Sequence, residues 1–530
     1  METESSTPAA VLQLLSTLDQ QPPPGDDAIL DALTQLNILA SNDTPTFRSV
    51  ASNINVDVVF ALVDRYTTQR STTQRRGGSE EDYVSVTCCQ LLRNVFMNMQ
   101  TVDVMDRYGK YMNTEHANQS VSLLCLQQVL RLAEEGNFSY FMSSPNLIQF
   151  TIHFLCHENG STEMSGVAPK ILSKLTALSG NGWLFNDEFI RLFKHLISSK
   201  NAVTRFRIYD VFVAYITNYP EYMELCKQCG IFDDLIAIIL HSDDVLVQLN
   251  ALEILSQIAT SGQKGLNFLQ EKGIISWIGD TLAKSDSDPL VSFLLPGCVK
   301  FFGVLCASNP MEIIPCYKPI LVQIFRGVHT SNDPTLSCLC AETVAFICSK
   351  GDGLKVLYGT EPDAIKETMT SMTQVVTNPG EDDYSREHML QSLTSMFDHD
   401  VQDVELSQIC EKLYSYLSAT SPMAYIFKLA QLPFAEIRHG SFKLLGHVSK
   451  HSWVQQDMVL CPGFLEYLLD RKTETEKEGH ELKFLIIQNL ARSVTALDNF
   501  GPEYFEKLEK YCTEGAFYGE SYVAVAVDGN

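Results

Sequence analysis

The sequence predicts an all-α protein built from stacked helical repeats, an α-solenoid, and three observations carry that reading. Apolar residues recur at helical spacing along most of the chain, strict alternation is rare, and helix-start signals return at a nearly constant interval. Val245–Ala259 shows the first: Leu246, Leu249, Leu252, Ile254, Leu255 and Ile258 fall three and four apart on one broad face. The best alternating run, Tyr522–Val527, is short. The interval appears at Asp243, Asp288 and Asp333, 45 residues apart, each opening an apolar segment. Aspartate suits a helix N-cap because its carboxylate accepts the free N–H groups of the first turn. Pro289 and Pro334 then fill the first helical position, where a missing N–H costs nothing.

The register extends both ways. Ser79, Asn118, Ser161 and Asn201 continue it upstream, and Asp382, the region of Pro433 and Gly479 continue it downstream. Ser79-Glu80-Glu81-Asp82 also has the look of a capping box. A second signal sits inside the repeat. Gly230 and Gly273, 43 apart, each precede an apolar helical run, as a tight turn before an inner helix would. These runs resemble the armadillo consensus, in which a glycine turn precedes the third helix. A period near 40–47 is the armadillo/HEAT range, so 530 residues hold roughly twelve units.

Four segments follow. Residues 1–66 read as an N-terminal helical cap with a linker around Pro22-Pro23-Pro24. Residues 67–82, polar and of low complexity, read as a mobile loop. Residues 83–518 form the solenoid, and residues 519–530 a tail.

Composition narrows the function. The chain carries 39 basic and 64 acidic residues, a net charge of −25. Such a chain repels phosphate backbones, and Arg75-Arg76-Gly77-Gly78 is too slight a basic segment to reverse that, so no nucleic-acid partner is expected. A basic protein surface suits it better, although charge of this size also serves solubility. Fifteen cysteines and an acidic N-terminus without an apolar core point to a reducing compartment, cytoplasmic with the nucleus open. The longest run free of Asp, Glu, Lys and Arg, from Gly136 to His157, is too polar to span a membrane.

The motifs of chemistry are missing. There is no phosphate-binding G-x-x-x-x-G-K-[ST] and no G-x-S-x-G elbow. His153 with His157 and His447 with His451 share helical spacing but lack a third ligand. Cys226 and Cys229 form a lone C-x-x-C, for which packing is the simpler role. Asp233-Asp234 and Asp243-Asp244 sit where helix starts favour carboxylates. The expectation is therefore no enzyme, no cofactor, no metal and no small-molecule substrate.

What remains is a protein-binding face. Its candidates are Asp187, Arg191, Asp234, Trp277, Asp280, Gln323 and Arg326, polar or aromatic positions among apolar ones on the segments read as inner helices. Trp277 is the candidate anchor, with packing against the next repeat as the alternative.

Specific residues then suggest a family. Asp286-Ser287-Asp288-Pro289, Leu295-Pro296-Gly297 and Val299-Lys300-Phe301-Phe302-Gly303 resemble the central signature of the 26S proteasome non-ATPase regulatory subunit 5 family. So do Pro462-Gly463-Phe464-Leu465-Glu466-Tyr467 with Asp470-Arg471, and Tyr511 through Glu514-Gly515 to Tyr518. The likeness runs from about Asn118 onward. It implies a chaperone of regulatory-particle base assembly that holds the C-terminal domain of one proteasomal ATPase, the regulatory subunit 7 type. The implied module also contains the regulatory subunit 4 type and non-ATPase subunit 2, and the chaperone leaves before the mature proteasome forms. The alternative is a general scaffold or adaptor for another partner, such as a phosphatase or Hsp70 system. An armadillo import receptor would carry W-x-x-x-N pairs, but Trp183, Trp277 and Trp453 are followed at the fourth residue by Asp187, Thr281 and Asp457.

Overall fold

A computed structural model describes residue 16 and residues 25–41, 55–72, 80–156, 162–179, 183–198, 202–284, 289–331 and 333–518. No strand occurs among the described residues. Long helices begin at Glu80, Gln119, Thr162, Ala202, Val245, Pro334, Asp383, Ala435 and Lys477, and a broken one at Pro289, so the repeat is realised at almost every expected start.

The caps explain why. Asn118 accepts from the backbone N–H groups of Ser120 and Val121, Asp333 from Thr335 and Asp382 from Ser385. One expectation shifts by a residue: Asp244, not Asp243, caps its helix, accepting from Leu246 and Val247. Ser79, Ser161, Asn201 and Asp288 lie outside the described residues. Gly479 lies inside a helix that starts at Lys477.

The chain divides into two compact units, the first ending at Asp234 and the second beginning at Leu235, inside a helix rather than at a linker. The first unit contains α1 (Asp26–Ser41), α2 (Val56–Thr72), α3 (Glu80–Met97), α4 (Thr101–Met112), α5 (Gln119–Glu134) and α6 (Phe138–Ser143). It continues with α7 (Pro145–Cys156), α8 (Thr162–Ser179), α9 (Asp187–Ile197), α10 (Ala202–Asn218) and α11 (Met223–Cys229), and α12 (Asp233–His241) begins in it. Here α1 and α2 pack on α3, and α8 packs between α5 and α10. Arg131 of α5 donates to the carbonyls of Phe96 and Met99, both at 2.8 Å, satisfying acceptors at the end of α3. Part of the segment 67–82, expected as a mobile loop, is helical. Residues 67–72 complete α2, residues 80–82 open α3, and only 73–79, with Arg75–Gly78, lie outside the described residues. So do the prolines at 22–24 and the tail at 519–530.

The second unit contains α13 (Val245–Ala259), α14 (Gln263–Glu271), α15 (Ile274–Lys284), α16 (Pro289–Ser292), α17 (Leu295–Ser308), α18 (Pro310–Cys316) and α19 (Lys318–Thr330). Then come α20 (Pro334–Cys348), α21 (Gly351–Thr360), α22 (Pro362–Thr377), α23 (Asp383–Ser395), α24 (Val404–Tyr416) and α25 (Pro422–Ala430). It closes with α26 (Ala435–Val448), α27 (Ser452–Leu460), α28 (Phe464–Leu469), α29 (Lys477–Arg492) and α30 (Ala496–Glu514).

Helices α13, α17, α20, α23, α26 and α29 form one row in which each packs extensively on the next. Helices α15, α19 and α22 form a second, looser row. Small residues let the tight row close up. A Cβ on Gly303 would lie 2.5 Å from Thr343 Cγ2, and one on Gly440 would lie 2.7 Å from Leu390 Cδ2, so a larger residue at either position would force its neighbour to shift. Helix pairs stacked this way bend toward the row with the closer spacing, so the tight row is the inner one. Each repeat covers its apolar face only with its neighbours, as the solenoid class requires.

Candidate partner-docking surface

The helices that follow the glycine turns are not the inner row. Gly230 and Gly273 do make left-handed turns, with φ of 63° and 75°. But α15 and α19 belong to the looser row, and the inner row is built from the helices that open at the Asp or Pro signals. Two long apolar helices per repeat look alike in sequence, and only their packing shows which stacks closer.

The expected contact residues therefore separate. Asp187 and Arg191 are exposed on α9, where Arg191 Nε donates to the Asp187 carbonyl at 2.9 Å. Asp234 is half-buried and already engaged within the first unit: it accepts from Tyr209 Oη at 2.9 Å and pairs with Arg205 at 3.4 Å. Tyr209 is wholly buried, so this carboxylate holds a core hydroxyl. In the second unit Trp277 is half-buried and Asp280 exposed on α15, and Gln323 and Arg326 are exposed on α19. Those two helices are in contact, with Gly279 of α15 facing Ile320 of α19.

The inner row presents two clefts that sequence reasoning missed. The first, of about 240 Å³, lies over α17, α20 and α23 and is lined by Leu295, Pro296, Lys300, Leu339, Glu342 and Tyr384. Glu342 accepts from His388 Nδ1 at 2.6 Å, and the Tyr384 ring sits 4.0 Å from that imidazole. Phe346, one turn beyond Glu342 on α20, is 41% exposed, a large apolar group left on a packed helix row.

The second cleft, of about 310 Å³, lies over α23, α26 and α29. Its lining includes Glu387, Gln391, Glu436, His439, Lys443, Glu476 and Glu478. Beneath it Glu474, almost fully buried, takes a forked bond from Arg438, Nε to Oε2 at 2.7 Å and Nη2 to Oε1 at 3.1 Å. Burial pushes the Glu474 carboxyl up, but Arg438 and the amides of Thr475 and Glu476 outweigh it and hold it below its ordinary value. Gly479 leaves the space this carboxylate occupies. Nearby, Lys483 is wholly buried, its Nζ donating to the carbonyls of Tyr467 and Asp470 at 2.9 and 2.8 Å and to Thr473 Oγ1 at 2.5 Å. Burial pushes its pKa down to about 8. A salient signal for this cleft stood in the sequence as Thr473-Glu474-Thr475-Glu476-Lys477-Glu478, a charged run between two apolar helices.

The remaining motifs have structural roles. Cys226 is buried and its thiol is pushed well above the ordinary range by burial, while Cys229 Sγ donates to the Cys226 carbonyl at 3.4 Å. His153 meets Glu115 at 3.0 Å, and His157 lies outside the described residues. No cluster of three or more His, Cys, Asp or Glu suited to a metal occurs among the described residues, and no helix there is long and apolar enough to cross a membrane.

Two of the quoted family motifs, around Arg471 and from Tyr511 to Tyr518, meet in space. Arg471 donates to the carbonyls of Gly515 and Ala516, pairs with Glu514 at 3.2 Å and lies over the Tyr511 ring.

Comparison with known proteins agrees with this architecture. A family model described as proteasome non-ATPase 26S subunit matches residues 9–530, well upstream of the point where the motifs begin. The 26S proteasome non-ATPase regulatory subunit 5 of Bos taurus is 26% identical over 510 residues, covering 95% of this chain and 97% of its own. That of Homo sapiens is 25% identical over 511 residues, with the same coverage. Among solved structures, importin beta aligns over 95% of this chain and 72% of its own at a TM-score of 0.51 and 12% identity, a likeness of fold alone.

Proposed function

Because the chain belongs to the proteasome non-ATPase 26S subunit family, we propose that it is a non-catalytic chaperone for assembly of the regulatory-particle base. It holds the C-terminal domain of a proteasomal ATPase of the regulatory subunit 7 type. The regulatory subunit 4 type and non-ATPase subunit 2 join the same module, and the chaperone is released before the mature proteasome. It acts in the cytoplasm, with the nucleus left open as a second compartment.

The observation that carries this reading is the match to that family over residues 9–530. The second unit supports it physically. An inner row of six long helices offers two clefts and the exposed Phe346, a surface suited to a folded protein domain. The net charge of −25 favours a partner with a basic face and a salt-sensitive association rate.

Affinity capture of the full chain from cell extract tests it. The expected companions are the ATPases of the subunit 7 and subunit 4 types and non-ATPase subunit 2, without core-particle subunits. Capture that lacks the subunit 7 type ATPase overturns the proposal.

A further inference from the structure

The starts of the inner helices share an arrangement that runs from layer to layer. Five consecutive ones each carry a large apolar residue at or beside the first turn: Leu246 at α13, Phe293 at α17, Leu336 at α20, Tyr384 at α23 and Phe434 at α26. These recur every 43 to 50 residues, in step with the repeat. Leu336 is half-buried, and the other four are 45% to 72% exposed. An apolar residue at a helix start often staples the first turn and is covered by it, but residues this open are not spent on that role. A single exposed apolar side chain is ordinary, whereas one per layer in register makes a strip.

Two contacts join these residues in space. The cleft of about 240 Å³ is lined by Ser292, next to Phe293, and by Leu336 and Tyr384, so three helix starts border one cavity. The Arg386 guanidinium lies 5.3 Å from the centre of the Phe434 ring, which ties the starts of α23 and α26 together. Charge follows the same register. Asp244, Asp333, Asp383 and Glu436 are exposed within three residues of Leu246, Leu336, Tyr384 and Phe434. Against them stand Lys300, exposed on the cleft wall, and Arg386, which is buried and lies 3.5 Å from Asp383.

We propose that this strip docks an extended segment of a protein partner, one in which an apolar residue recurs at every third position with arginine or lysine between. Packed helices lie about 8–10 Å apart. A polyproline-type chain turns once in three residues and rises about 9 Å per turn, so every third side chain meets the next layer. A helix with its side chains is about 10–12 Å across, wider than a strip confined to single turns of about 5 Å. The basic residues of the segment face the acids at the helix starts, which fixes its register. This deepens the proposed function, since it rests on the inner row being the docking face.

The test uses the full chain and a fifteen-residue peptide of five Leu-Arg-Pro repeats. One control holds the same residues with the leucines gathered in a block, and another carries neutral citrulline in place of each arginine. Fluorescence anisotropy is expected to show binding of the periodic peptide and at least tenfold weaker binding of both controls. The double variant Phe293→Ala with Tyr384→Ala should lose about tenfold in affinity or more at an unchanged melting temperature, both rings being exposed. Asp333→Asn with Asp383→Asn, which keeps a capping side chain at 333, should lose about threefold or more. An exposed apolar pair elsewhere in the unit, Met311→Ala with Val322→Ala, should bind as wild type does. No binding of the periodic peptide, equal binding of the block peptide, or equal losses in the two alanine pairs would each overturn the proposal. So would a dimer of the free chain, seen by sedimentation and abolished by Phe293→Ala with Tyr384→Ala, because a second copy would then be the occupant. Capture of the subunit 7 type ATPase separates the two claims. If the wild-type chain captures it but the peptide pattern fails, only the apolar strip falls. If the wild-type chain does not capture it, the functional reading falls whatever the peptide does.

Discussion

The guanidinium of Arg471 lies 3.5 Å above the ring centroid of Tyr511, forty residues later in the chain. The same side chain also reaches the carbonyls of Gly515 and Ala516 and the carboxylate of Glu514. It thereby closes the end of the second unit by fastening the last turn of α30 onto the short segment after α28.

Replacing it should therefore loosen that end selectively. Arg471→Ala is expected to lower stability by about 2 kcal/mol, the scale of a partly buried, hydrogen-bonded cation–π contact. Limited proteolysis should then cut between Tyr511 and Tyr518 well before the rest of the chain. Arg471→Lys should rescue little, because an ammonium cannot fork between carbonyls and stack at once. A digestion pattern equal to wild type in both variants would show that the contact holds nothing in place.

Helix caps give a sharper test of register. Asp244→Ala and Asp333→Ala should each cost about 1 kcal/mol, the usual loss for a capping side chain. Asp243→Ala should stay within about 0.5 kcal/mol, since it is exposed and makes no cap. Urea denaturation of the three variants checks this, and equal losses at Asp243 and Asp244 would contradict the observed start of α13.

Acid should weaken the second unit before the ordinary carboxylate range. Burial pushes His451 down to about 4, assisted by Lys450 and His399, and burial lowers His399 and His447 too. These rings are held neutral in the folded state while the unfolded chain takes up protons near pH 6.5. Between about pH 6.5 and 4 the unfolded state thus binds more protons, and stability falls as pH falls, by up to about 1.4 kcal/mol per unit for one such group. Unfolding free energies at pH 7 and pH 5.5 should show the drop, and His451→Asn should reduce it. A flat profile across that window would mean that these rings are hydrated.

The two rows can be told apart by partner capture. Phe346→Ala, on the inner row, should weaken capture of the subunit 7 type ATPase by about 2 kcal/mol, as an exposed aromatic anchor does. Its melting temperature should change little, given that the ring is 41% exposed. Trp277→Ala, on the looser row, should spare capture. The opposite pattern would return the docking face to α15 and α19.

The fold was legible because its signals are local. Asn118, Asp333 and Asp382 announce helix starts through their own side chains, and Gly230 and Gly273 announce turns through their own backbones. The docking face we propose was not, because its position depends on which row stacks closer. Asp234 shows the difficulty: it reads as an exposed acid at a helix start, yet Tyr209 and Arg205, distant in sequence, claim its carboxylate. The cleft at His439 was hidden for the same reason, since its walls come from helices some forty residues apart.

The layering of the second unit has a mechanical consequence. Each inner helix from α13 to α29 leans on the one before and the one after, so a pulling force passes through a series of similar springs. Extension is then shared among the layers, and the stack can flex by small angles without parting at any one of them. Compliance should be greatest where the inner helix is interrupted, between α16 and α17, because that layer lacks a continuous rod. A partner gripped by this unit would be held by an elastic clasp, one able to follow the partner's own movements while keeping its grip.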